Sequence, residues 1–95
     1  MTTIDAYIST PGEILREEFL EPLGISQYRL AKAIHKPASA ISEIINGKRT
    51  ITPEMSYLIG KALGVSESYF LNLESTYQMK MLDLDMLPDV MLLAK

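Results

Sequence analysis

The sequence predicts an all-α fold of five short helices, and three observations carry that prediction. Proline and glycine fall at regular intervals that fit helix starts and stops. Apolar residues between them recur at i, i+3 and i+4. Alternating β-branched runs, the signature of strands, are almost absent. Ninety-five residues with 47% apolar and 22% charged side chains suffice for one domain with its own core.

The first helix is predicted over residues 11 to 21. Thr10 is its N-cap, Pro11 its first residue and Glu13 the third residue after the cap, which completes a capping box. Ile14, Leu15 and Phe19 face inward, Arg16, Glu17 and Glu18 face water, and Pro22-Leu23-Gly24 ends the segment. Ser26 caps a second helix that runs to about Ile34 and buries Leu30, Ala31 and Ile34. A four-residue turn, 34 to 37, leads into a third helix over 38 to 46.

That third helix turns Ile41, Ile44 and Ile45 inward and Ser39, Ala40, Ser42 and Glu43 outward, with Gly47 as its left-handed terminator. Thr52-Pro53 repeats the cap-and-proline start for a fourth helix, which buries Leu58, Ile59, Ala62 and Leu63 before Gly64. Ser66 caps a fifth helix that carries Phe70, Leu73 and Tyr77 and continues to about Leu82. The chain thus divides into an N-terminal arm (1–10), a helical domain (11–78) and a Met-rich extension (79–95).

Composition removes several function classes. Without cysteine there is no disulfide, no thiolate metal site and no thiol nucleophile. The single histidine, His35, excludes a His-pair metal site, and no paired carboxylates with a base or phosphate loop are visible. Neither a catalytic residue, nor a metal, nor a cofactor is expected. No apolar run approaches a membrane span, and the N-terminus lacks the features of a secretory signal, so a cytoplasmic protein is expected.

The net charge of −3 conceals a partition. Residues 26 to 49 hold Arg29, Lys32, Lys36, Lys48 and Arg49 against Glu43 alone, a local +4, and the remainder carries −7. Screening over about 8 to 10 Å lets such a patch attract an anion despite distant acids. The second and third helices, joined by a tight turn with small Ala31 at the crossing, form a helix-turn-helix pattern. The start of the third helix would then enter the major groove, with Ala38, Ser39, Ala40, Ser42 and Glu43 near base edges. Ser39 and Ser42 can bond to several bases, Glu43 can accept from cytosine, and the two alanines can touch a thymine methyl. Gln27, Lys36, Asn46, Lys48 and Arg49 are the candidate phosphate contacts.

At these residues the sequence resembles the HigA-type antitoxins, also called virulence-associated protein I, within the Cro/C1 or XRE class of lambda-repressor-like helix-turn-helix regulators. The matching stretches are PGEILREEFLEPLGIS, QYRLAKAI, ISEIINGKRTIT and ALGVSESYFLNLESTY, spanning residues 11 to 77. The resemblance implies a homodimer that binds double-stranded operator DNA, represses its own operon and neutralises an RNA-cleaving HigB-type toxin. Three positions, His35, Lys36 and Ala40, depart from the family pattern. The turn usually reads Leu-Gly-Val-Pro where this chain has Ile34, His35, Lys36 and Pro37, which puts a histidine in a left-handed glycine position and a lysine in place of a buried valine. An arginine often stands where Ala40 is.

A dimer needs an interface outside the recognition unit, because two recognition helices must sit about 34 Å apart. Phe70, Leu73 and Tyr77 on the fifth helix are the candidates. For the extension, packing on helix five or a dimer mate, toxin binding and an irregular terminus all remain open. Two other functions stand beside the antitoxin: a solitary transcriptional regulator, and an interaction module that keeps the bundle but has lost DNA binding.

Overall fold

A computed structural model describes residues 8–94; most of the expected N-terminal arm, residues 1–7, lies outside the described residues, as does Lys95. The described residues form helices and turns, with no strand among them. Five helices build the domain: α1 (11–23), α2 (Gln27–Ala33), α3 (Ala38–Ile45), α4 (Pro53–Leu63) and α5 (Tyr69–Lys80), followed by a 3₁₀ turn at Leu84–Met86.

Most boundaries follow from local chemistry. The Thr10 hydroxyl accepts from the Glu13 N–H at 3.1 Å while the Thr10 N–H donates to the Glu13 carboxylate at 2.9 Å, so the capping box is complete. Ser26 and Thr52 accept from Arg29 and Met55 N–H groups in the same way. Gly24, Gly47 and Gly64 terminate helices in the left-handed conformation. His35 joins them at φ 59°, the conformation that the resemblance implies for this position.

Helix α1 departs from the expected end at Glu21. It runs through Pro22, and its middle, Leu15–Leu20, is wound as a π-helix between two α-helical pieces, Pro11–Ile14 and Glu21–Leu23. Ordinary α winding would put Leu15 and Leu20 about 140° apart; the wider turn lets both be buried, at 0% and 3% exposure. It also lies just ahead of Pro22, whose ring would crowd the Glu18 carbonyl in a regular helix. The later elements carry smaller corrections. Ser66 does not cap α5 directly: its hydroxyl accepts from the Ser68 N–H in a turn, and α5 begins at Tyr69 and ends at Lys80. On α4, Ala62 is exposed, and Met55, Ser56, Ile59 and Gly60 form the buried face.

The core is a single cluster of Leu15, Leu20, Leu30, Ala31, Ile34, Ile41, Ile44, Ile45, Ile51, Met55, Ile59 and Phe70. Phe19, Tyr69 and Phe70 meet edge to face at centroid distances of 5.0 to 5.7 Å and join α1 to α5. Ser56, fully buried, donates to the Glu67 carbonyl at 2.7 Å and accepts from the Leu71 N–H, fastening α4 to the start of α5. The backbones of α1 and α3 cross at Gly12, where a β-carbon would strike the Ile44 carbonyl oxygen.

Beyond α5 the extension leaves the domain. Leu84, Met86, Val90, Met91, Leu92 and Leu93 are all exposed, so it does not fold back onto helix five. The radius of gyration, 16.0 Å, exceeds the roughly 12 Å of a compact chain this long for that reason.

Two stability changes follow from the backbone. Gly12→Ala forces α1 off α3 and should cost about 3 kcal/mol or more, read as a drop in the denaturant midpoint. His35→Gly removes a left-handed penalty of about 1 to 2 kcal/mol against a smaller entropic loss, and should raise the melting temperature by about 2 to 6 °C; an unchanged or lower value contradicts the strain.

Candidate nucleic-acid interface

The arrangement begins with the crossing of α2 and α3. Ala31, at 2% exposure, lets the two helices approach, and Ile41 and Ile44 fill the space beneath. An eight-residue helix has little stability alone, so the direction of α3 is set by this buried face. Ala38 and Ser39 are exposed, and Ser42 and Glu43 are half-buried, on the side turned away from the core.

Ala40 corrects the expected outer face. It is 4% exposed and belongs to the buried stripe, because position 40 lies one full turn before Ile44 on the same side of the helix. The surface able to meet a base edge therefore reduces to Ala38, Ser39, Ser42 and Glu43.

Three of the candidate phosphate contacts meet this face: Arg49 and Asn46 through bonds to Glu43 and Ser42, and Lys36 through a cleft it shares with Ser39. Arg49 donates through Nε at 2.8 Å and Nη2 at 2.7 Å to one oxygen of Glu43, so the loop after α3 folds back on the recognition helix. Lys36, in the turn before α3, pairs with Glu54 of α4 at 3.2 Å, and its side chain is 30% exposed. The Asn46 amide donates to the Ser42 hydroxyl at 3.3 Å. Lys48 is exposed and makes no ion pair among the described residues. Gln27 is half-buried at the first position of α2.

A cleft of about 360 Å³ opens between the start of α3, the loop and the start of α4. Lys36, Ser39, Arg49, Thr50, Thr52 and Glu54 supply its polar wall. Thr50 and Glu54 were not among the sequence-derived candidates. Glu54 signals only a favourable charge in the first turn of α4, and its pairing with Lys36 across 18 residues is invisible to local pattern.

The loop itself is tied to α5. Glu74, 8% exposed, accepts from the Ile51 N–H at 2.9 Å through one oxygen and from the Gln78 amide at 2.9 Å through the other. On the same helix, Phe70 is corrected as a candidate dimer contact: it is 0% exposed and packs in its own core, leaving no surface for a partner. Leu73 and Tyr77 are half-buried and keep an exposed edge.

Known proteins with this pattern are related throughout the domain. The helix-turn-helix family matches residues 16–70. Virulence-associated protein I of Dichelobacter nodosus is 41% identical over 75 residues, covering 79% of this chain and 69% of that protein. Antitoxin HigA-1 of Vibrio cholerae is 36% identical over 63 residues, covering 66% of this chain and 59% of that protein. A solved structure of the Pseudomonas aeruginosa antitoxin HigA with the higBA promoter superposes with a TM-score of 0.72 at 35% identity, covering 76% of this chain and 78% of that one. Shared helix order, the α2-turn-α3 unit and this degree of identity place the chain in the Cro/C1-type helix-turn-helix family, in the company of virulence-associated protein I and the HigA antitoxins.

Proposed function

We propose that the chain is a sequence-specific operator-binding repressor and the antitoxin of a HigB–HigA-type module, acting as a homodimer in the cytoplasm. Its work is binding rather than catalysis. The observation that carries this reading is the outward face of α3, with Ser39, Ser42 and Glu43 flanked by Lys36 on one side and Lys48 and Arg49 on the other. A groove about 12 Å wide admits such a helix. The relative solved with its promoter supports the same use of the fold.

Within that reading the contacts divide by chemistry. Ser39 and Ser42 offer hydroxyls to base edges and Ala38 a methyl, while Glu43 lies beside them bonded to Arg49. Gln27, Lys36, Asn46, Lys48 and Arg49 meet phosphates and fix register without reading sequence. The exposed edge of α5 at Leu73 and Tyr77 pairs two protomers, so that both copies of α3 face one side of the duplex. A HigB-type toxin is the protein partner that the HigA relatives suggest.

The deciding experiment is a mobility shift on DNA upstream of the gene and on an unrelated duplex, at two salt concentrations. Preferential, salt-sensitive retention of the upstream fragment is expected. No retention of either duplex by folded protein at low salt would favour an interaction module instead. Substituting Lys48→Ala and Arg49→Ala together should weaken binding to both duplexes and flatten the salt dependence, by up to about two phosphate contacts' worth on the upstream duplex. Ser39→Ala should chiefly alter the ratio between the two, by about 1 kcal/mol. Unchanged affinity and slope in the double variant would remove the loop from the phosphate contacts.

A further inference from the structure

The two cations that line the cleft beside α3 are each occupied by a carboxylate of the same chain. Arg49 is held by Glu43 and Lys36 by Glu54, so the four groups together carry no net charge. The glutamates lie at different places in the fold, one on α3 and one in the first turn of α4: Glu54 lines the opening itself, and Glu43 reaches it through its bond to Arg49. All four side chains are 30% to 68% exposed, which makes these pairs weak and exchangeable. A carboxylate bonded to a guanidinium or an ammonium occupies the position that a phosphate oxygen takes on the same donors.

Resting on the DNA-binding reading above, we infer that Glu43 and Glu54 are internal counterions that fill the phosphate seats of Arg49 and Lys36 in the DNA-free protein. A DNA phosphate enters the cleft only by displacing them. The exchange is nearly balanced for any single phosphate, so unrelated DNA gains little from these two cations. A duplex whose base edges also engage α3 supplies the additional free energy. The glutamates thereby set the ratio of specific to non-specific binding, and Glu43 does so through Arg49 rather than by reading cytosine.

The test compares wild type, Glu43→Gln, Glu54→Gln and a control, Glu17→Gln, by fluorescence anisotropy with the upstream and the unrelated duplex over a salt series. Glu17 pairs with Arg16 on α1, so its amide raises the net charge equally without touching the cleft. Glu43→Gln and Glu54→Gln should each tighten the unrelated duplex by roughly two- to five-fold, the equivalent of one exposed ion pair. Each should also steepen the salt slope by up to about one. The upstream duplex should gain less, and Glu17→Gln should leave the ratio between duplexes as in wild type.

Unchanged affinity of both cleft variants for the unrelated duplex overturns the inference. So does an equal gain in Glu17→Gln, which reduces the effect to overall charge. A gain in only one cleft variant overturns the paired arrangement, and loss confined to the upstream duplex in Glu43→Gln returns that residue to base reading. Wild type that binds neither duplex overturns the DNA-binding reading itself, an outcome distinct from wild type that binds while its variants match it. Melting curves of each variant confirm that the comparison is between folded proteins.

Discussion

The close crossing of α1 over α3 at Gly12 is the constraint on which the recognition surface depends. Eight residues cannot hold a helix in water, so α3 keeps its direction only because its backbone is pressed against α1 and its isoleucines are buried beneath α2. Every outward group inherits its position from that contact. The hydroxyls of Ser39 and Ser42 need no support of their own, since the helix bearing them is fixed from behind. The loop that follows is held from the opposite end of the fold, by the bond between the buried Glu74 and the Ile51 backbone.

Features set within one turn of chain were legible in the sequence. Thr10, Ser26 and Thr52 cap helices because a short hydroxyl side chain reaches the N–H three residues on, and the three left-handed glycines end helices because they lack a β-carbon. The left-handed His35 was not legible from local chemistry, since histidine carries a β-carbon; only the resemblance, which has a glycine at that position, implied it. The π winding of α1 was not, because an i, i+3, i+4 pattern assumes a uniform helix and Leu20 falls outside it. Ala62 and Ala40 were misplaced for a related reason: alanine is small enough to suit either environment, and only the neighbouring helix decides which face it shows. Phe70 was legible as a core residue, but its second assignment to the dimer edge fails because Phe19, half a chain away, completes the aromatic cluster that encloses it.

The candidate site was legible to a smaller degree. Residue type identified cations and hydroxyls, and of these Lys36, Asn46 and Arg49 lie beside the outward residues of α3. Their pairing was not legible, since Lys36 and Glu54 meet across a turn, a helix and a loop. Charge counts along the chain give the sign of a surface but not which charges are already satisfied.

The segregation of charge has a consequence for how the molecule arrives at a polyanion. A cationic quarter at residues 26–49 set against a net-negative remainder gives the chain an electric dipole. In the field of a duplex, the torque on that dipole turns the basic pole forward before any contact forms, and the acidic body repels approaches made wrong way round. An acidic protein can in this way be an oriented DNA ligand, with its overall charge acting as a filter on encounter geometry.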